Sequence, residues 1–122
     1  MFREERDLRV VHVVGTADTK GEELAYLRDL IAAAGQEAVI VDLGIRTPTI
    51  PTDIGAKDVA SLHPDGEKAV LGADDRGTAV SGMGTAFAEW CRRNAGQIAG
   101  IISVGGGGGT SIACSGMREL PY

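Results

Sequence analysis

The chain has 122 residues, a formal net charge of −5 and only 4% aromatic residues. That length suits one domain burying roughly two thirds of its unfolded surface around Val, Ile, Leu and Ala. The acidic balance, with no long basic stripe, excludes a nucleic-acid-binding or anionic-membrane surface, while local geometry can still hold a single phosphate.

In chain order, residues 8–14 form an apolar run in which Val10, Val11, Val13 and Val14 predict a strand covered on both faces. Gly15 to Gly21 then make a turn, and a helix is expected to begin near Lys20. Thr19 and Glu22 have the spacing of a capping box, and Leu24, Leu27, Leu30, Ile31 and Ala34 follow the helical period up to Gly35. Residues 38–43 predict the second strand, with Asp42 near its end. Residues 44–72, with Pro48, Pro51, Pro64 and several glycines, read as a long irregular connection with one short helical stretch at 56–62, a length that often marks a mobile or functional segment. Asp74 or Asp75 can cap the next helix, whose inward stripe is Ala79, Met83, Ala86, Phe87 and Trp90. Ile98–Val104 predicts the third strand, and a helix is expected over 110–120.

Strands alternating with helices predict a three-layer α/β, Rossmann-like fold with a parallel sheet. Right-handed crossovers favour the order 2-1-3, which reverses direction between strands one and three, and ligands of open α/β sheets bind at such a switch point. Both glycine turns fall there. One is Gly15-Thr16-Ala17-Asp18-Thr19-Lys20-Gly21. The other is the unbroken run Gly105, Gly106, Gly107, Gly108 and Gly109, followed by Thr110 and Ser111. Glycines let successive amides turn toward one point, and a helix N-terminus adds unpaired donors, so the expected guest is a phosphate. Thr16, Asp18, Thr19, Lys20, Arg46, Arg76, Thr110 and Ser111 are the polar groups available to it. Asp42 occupies the place where nucleotide folds hydrogen-bond a ribose. Asp18 is a candidate for Mg²⁺ held through water, or simply holds its turn. Neither turn has the P-loop or dinucleotide spacing, so spacing alone leaves open a phosphorylated or carboxylated ligand and a purely structural use of the glycines.

The segments 13–23, 41–44, 75–77 and 103–110 together resemble the opening part of the ATP-binding domain family first known from a tomato mosaic virus resistance protein. The resemblance implies a Rossmann-like first subdomain that completes an ATP site with a second subdomain, often in a dimer, and a TIM-barrel domain that bacterial relatives carry as a separate partner protein. The family continues beyond the point where this chain ends, at Pro121-Tyr122, so residues 1–122 are expected to be a truncated nucleotide-binding subdomain. In it the third strand has an edge open to homo-association.

No apolar run approaches the roughly 20 residues that span a bilayer, and residues 1–9 are charged with no signal-peptide core, so a cytoplasmic protein is expected. Cys91 and Cys114 lack C-x-x-C spacing and read as free thiols inside helices, with no metal site. His12 reads as a packed or edge strand residue and His63 as a loop residue. No nucleophile–base pair emerges, so no catalytic residue is assigned. The expectation is a binding or regulatory domain for ATP, with Mg²⁺ as its companion ion. The alternatives are part of an enzyme acting on a phosphorylated small molecule with a TIM-barrel partner, and a structural assembly subdomain.

Overall fold

The computed structural model describes residues 9–121; the expected strand start at Leu8, the charged stretch up to residue 8 and Tyr122 lie outside them. Three strands, β1 (Val10–Gly15), β2 (Ala38–Asp42) and β3 (Ile98–Val104), form one parallel sheet in the order β2-β1-β3. This is the expected Rossmann-like α/β arrangement. Gly15 pairs with Asp42 on one side and with Val104 on the other, so all three strands end level at one rim.

Successive residues of β1 and β2 point to opposite faces, and both faces are covered. Val13 and Ile40 pack with Ala17 and Leu24 of helix α1 (Ala17–Ala33). Val14 and Val41 join a larger cluster with Met83 and Phe87 of α4 (Arg76–Asn94) and Ile112 of α5 (Gly107–Met117). The result is three layers, with burial of each large side chain such as Phe87 contributing about 1.5–3 kcal/mol. The helices α4 and α5 lie unusually close, since a methyl group on Gly116 would collide with Phe87 and Cys91. Cys91 is buried and Cys114 half-buried, both free; burial pushes the Cys91 thiol up to about 12.

Three element boundaries differ from the sequence expectation. Helix α1 begins at Ala17 rather than near Lys20, with Thr16 at the N-cap position and no side-chain bond of its own there. Its first amide is instead capped from afar, by Asp42. Helix α5 begins at Gly107 rather than Thr110, because burial of Gly109, Ile112 and Ala113 outweighs the poor helix propensity of three glycines, and it ends at Met117. The connection 44–72 carries two short helices, α2 (Ala56–Ala60) and α3 (Lys68–Leu71), where one was expected over 56–62. It packs into the domain, with Val59, Ala60 and Val70 buried. Of the two candidate caps for α4, Asp75 is used: its Oδ1 accepts the Thr78 amide at 2.8 Å and its Oδ2 the Thr78 hydroxyl at 2.9 Å.

The two edges of the sheet differ. Beyond β2, Asp53 and Ile54 return along the strand: the Asp42 amide donates to the Ile54 carbonyl, and the Ile40 amide to Asp53 Oδ2 at 2.7 Å. Among the described residues β3 pairs only with β1. On the α1 side of that open edge, Tyr26, Leu30 and Ile102 are exposed.

Candidate functional site

Because the strands end level, the N-termini of α1, α4 and α5 all open at the same rim. A helix of n residues leaves its first amides without intrahelical acceptors, and it concentrates roughly half a positive charge there. What the chain does with those amides differs between the two glycine turns.

At the first turn the amides of Ala17, Thr19 and Lys20 are already engaged. Asp42 is 1% exposed, and its Oδ1 accepts the Ala17 amide at 3.0 Å and the Gly44 amide at 2.7 Å. The Thr19 and Lys20 amides both donate to the Thr16 carbonyl, at 3.1 and 2.7 Å. The Thr16 and Thr19 hydroxyls bond each other at 2.7 Å. The glycines here are also accounted for by neighbours within the chain. A Cβ on Gly15 would stand 2.8 Å from the Val104 carbonyl oxygen, and one on Gly21 would collide with the Thr49 hydroxyl.

At the second turn the reverse holds. The amides of Gly107, Gly108 and Gly109 have no acceptor among the described residues; the first paired amide is that of Thr110, which donates to the Gly106 carbonyl at 2.9 Å. A Cβ on Gly106 or Gly107 would meet nothing within 4 Å, and one on Gly108 or Gly109 would make only ordinary contacts, with Arg76 and Val80 or with Thr16. Nothing within the chain requires these positions to be glycine. Three of them in a first helical turn each cost about 1 kcal/mol relative to alanine.

Between the two turns lies a cavity of about 30 Å³, lined by Thr16, Asp18, Thr19, Arg76, Gly108 and Gly109, with Leu43, Ile45, Val80 and Ile112 as its apolar wall. That is room enough for a water or a bare cation. Asp18 Oδ1 is shielded from solvent and has no hydrogen-bond partner among the described residues. From Arg76 and Gly108 an open groove of about 810 Å³ continues between α4 and α5, past Ser111 and Ser115 to Arg118. No ion pair or hydrogen bond engages the Arg76 guanidinium among the described residues.

The expected site residues therefore divide. Thr16, Asp18, Thr19, Arg76, Gly108 and Gly109 come together; Gly105, Gly106 and Gly107 stand exposed at the mouth. Ser111 lines the groove, and the Thr110 hydroxyl turns back to the Gly105 carbonyl at 3.3 Å. Gly15 and Asp42 are buried in the rim, Lys20 lines neither the cavity nor the groove, and Arg46 faces a separate depression beside Pro48 and Lys57. Thr49 was not singled out in the sequence. Its amide and its hydroxyl both donate to the Ala17 carbonyl, each at 3.0 Å. No local signal announces a bond between residues so far apart in the chain.

Burial pushes the Asp42 carboxyl up; its two amide bonds pull it down, and the neighbouring Asp18 pushes it up again. The Thr78 amide and hydroxyl hold the Asp75 carboxyl below its usual range. Burial lowers His12, which is packed mid-strand as expected. Among the described residues no group of three or more His, Cys, Asp and Glu side chains is placed to hold a metal, and no helix is long and apolar enough to cross a membrane.

Residues 9–122 match the N-terminal domain of the uncharacterised protein family UPF0261, and the chain belongs to that family. It is 58% identical over 115 residues to a UPF0261 protein of Mesorhizobium japonicum, covering 93% of this chain and 28% of that protein. A UPF0261 protein of Clostridium tetani is 37% identical over 111 residues, covering 88% of this chain and 28% of that one. The ToMV resistance protein Tm-1 of Solanum lycopersicum is 32% identical over 129 residues, covering 91% of this chain and 17% of that protein. The chain thus spans 28% of the length of these bacterial relatives.

Proposed function

We propose that this domain binds the phosphates of a nucleotide, ATP with Mg²⁺, at the N-terminus of α5. The reading is carried by the amides of Gly107, Gly108 and Gly109, which have no acceptor among the described residues, with open space where a side chain on Gly107 would stand. An anion there receives backbone donors, the positive end of a helix and the Arg76 guanidinium at once. The groove between α4 and α5, which begins at Arg76 and Gly108, offers room for the rest of the nucleotide.

Asp18 fits the ion. Its side chain lines the cavity with Arg76, Gly108 and Gly109, and a carboxylate beside a phosphate site is repulsive unless a cation stands between them. Asp42 serves the fold of the rim in this reading rather than a ribose, since its Oδ1 is shared by two amides in the interior. The ATP-driven role is binding or regulatory, in a longer protein whose other parts complete the nucleotide pocket. A TIM-barrel partner acting on a phosphorylated small molecule is the enzymatic form of the same proposal. A second reading, assembly through the open edge of β3, is favoured by the exposed Tyr26, Leu30 and Ile102 beside it. It predicts a homodimer dissociated by Ile102→Lys in sedimentation analysis, and a monomer at all concentrations overturns it.

The decisive experiment is calorimetric titration of Mg·ATP into the chain and into Gly107→Asp. That position has room for the side chain, and a carboxylate in the first turn of α5 favours the helix while repelling a phosphate. Binding that disappears in a variant melting at or above the temperature of the unaltered chain supports the site. Equal binding by both, or binding by neither, removes it.

A further inference from the structure

We infer that Thr49 is a positioning residue that, together with Asp42, clamps the Ala17 backbone and so sets where Asp18 stands relative to the α5 amides. The inference rests on the nucleotide reading of the site and extends it to the segment after β2. The backbone of Ala17 is gripped on both sides of its Cα. Its N–H is taken by the buried Asp42 carboxyl at 3.0 Å, and its carbonyl oxygen accepts both the amide and the hydroxyl of Thr49. A carbonyl holding two outside donors is pulled from the axis of its helix. Three residues on, α1 breaks its regular geometry at Lys20, where φ is −124° and ψ 25°. Inserted side chains are an established cause of such kinks. Gly21, just past the kink, has no Cβ and so lets the Thr49 hydroxyl approach. The Leu43 amide ties the same segment to the Gly15 carbonyl at 2.8 Å. Thr16 to Thr19 therefore form a separate turn, oriented from β2 and the segment beyond it more than by the rest of α1.

The two halves of the site then have different dependencies. The α5 amides are placed by β3 and by the packing of α5 on α4, whereas the Asp18 carboxylate is placed by the clamp. Loosening the clamp should weaken only the part of binding that runs through the cation.

The test uses Thr49→Val, which keeps the shape and the amide bond but deletes the hydroxyl, and Thr49→Ser, which keeps both bonds. Affinity is measured for ATP with Mg²⁺ and for ATP with the metal chelated. The expected result is a loss of roughly three- to tenfold for Mg·ATP in Thr49→Val, no change for metal-free ATP, and recovery in Thr49→Ser. Asp18→Asn should lower the affinity for Mg·ATP likewise, and adding Thr49→Val to it should cost little more. Equal losses for both forms of ATP, or none for either, overturn the inference. A readout without ligand keeps it separate from the nucleotide reading. Amide exchange across residues 18–21 should accelerate in Thr49→Val and not in Thr49→Ser, and unchanged exchange overturns the clamp even if ATP binds.

Discussion

The two glycine turns look alike in sequence, each a strand running through glycine into a helix, yet the chain uses them in opposite ways. The first is filled from within: Asp42 takes its leading amide, the Val104 carbonyl and the Leu24 side chain crowd Gly15, and Thr49 covers Gly21. The second is left open, with three amides unpaired among the described residues and free space where side chains on Gly106 and Gly107 would stand. A glycine-rich turn at a strand end is therefore two different devices. Which one is present depends on what fills the position of the absent Cβ.

The contrast can be broken by substitution. Gly15→Ala should cost about 1–3 kcal/mol, read as a shift in denaturant midpoint, because its new methyl meets a backbone carbonyl that belongs to the sheet and cannot rotate away. A neutral Gly15→Ala would show that the first turn also has slack. Arg76→Ala should leave the midpoint nearly unchanged and weaken Mg·ATP roughly tenfold, the scale of one charge-assisted hydrogen bond. Gly107→Ala should raise stability, by up to about 1 kcal/mol, since the fold asks for no glycine there. Loss of stability instead would mean that the open space is needed by the fold itself.

Titration sharpens the comparison further. Asp42 has its pKa raised, so just above its ordinary range the folded chain binds more protons than the unfolded one, and stability falls as pH rises through that window. Asp42→Asn retains an acceptor for the Ala17 and Gly44 amides and should remove this slope from urea midpoints collected across the window. His12 has the opposite sign. Its pKa is lowered, so its contribution is complete above 6.5 and is lost as pH falls through the folded value. A strand-compatible His12→Val should flatten that limb, and an unchanged limb would assign it to other groups.

Much of this architecture was legible in the sequence. The apolar runs of β1 and β3 and the alternation with helices sufficed for the strand order, because a right-handed crossover leaves few alternatives. Residues that line the site, such as Thr16 and Arg76, were legible for the same reason, since strand ends and helix starts fix the rim. The start of α5 was not, because propensity counts three glycines as breakers and cannot weigh the burial of Ile112 and Ala113 behind them. Asp42 was visible but its partner was not: an acidic residue at a strand end looks the same whether it faces a sugar or the amide of Ala17. Thr49 left no trace at all, since its bonds cross from one connection to another.

The packing of α4 against α5 has an electrostatic consequence. Both helices start at the rim where the parallel strands end, α4 leading into β3 and α5 out of it, so they run the same way, and Gly116 lets them approach closely with like poles together. At the rim, Arg76 adds its own positive charge to those poles, and Asp75 is the counter-charge that α4 carries there. At this rim the aligned helix ends and Arg76 thus face the carboxylates of Asp75 and Asp18. An anion seated there would offset the alignment of like poles, so the melting temperature is expected to climb more steeply with sulfate in the unaltered chain than in Arg76→Ala, and equal slopes would leave only the general stabilisation by sulfate.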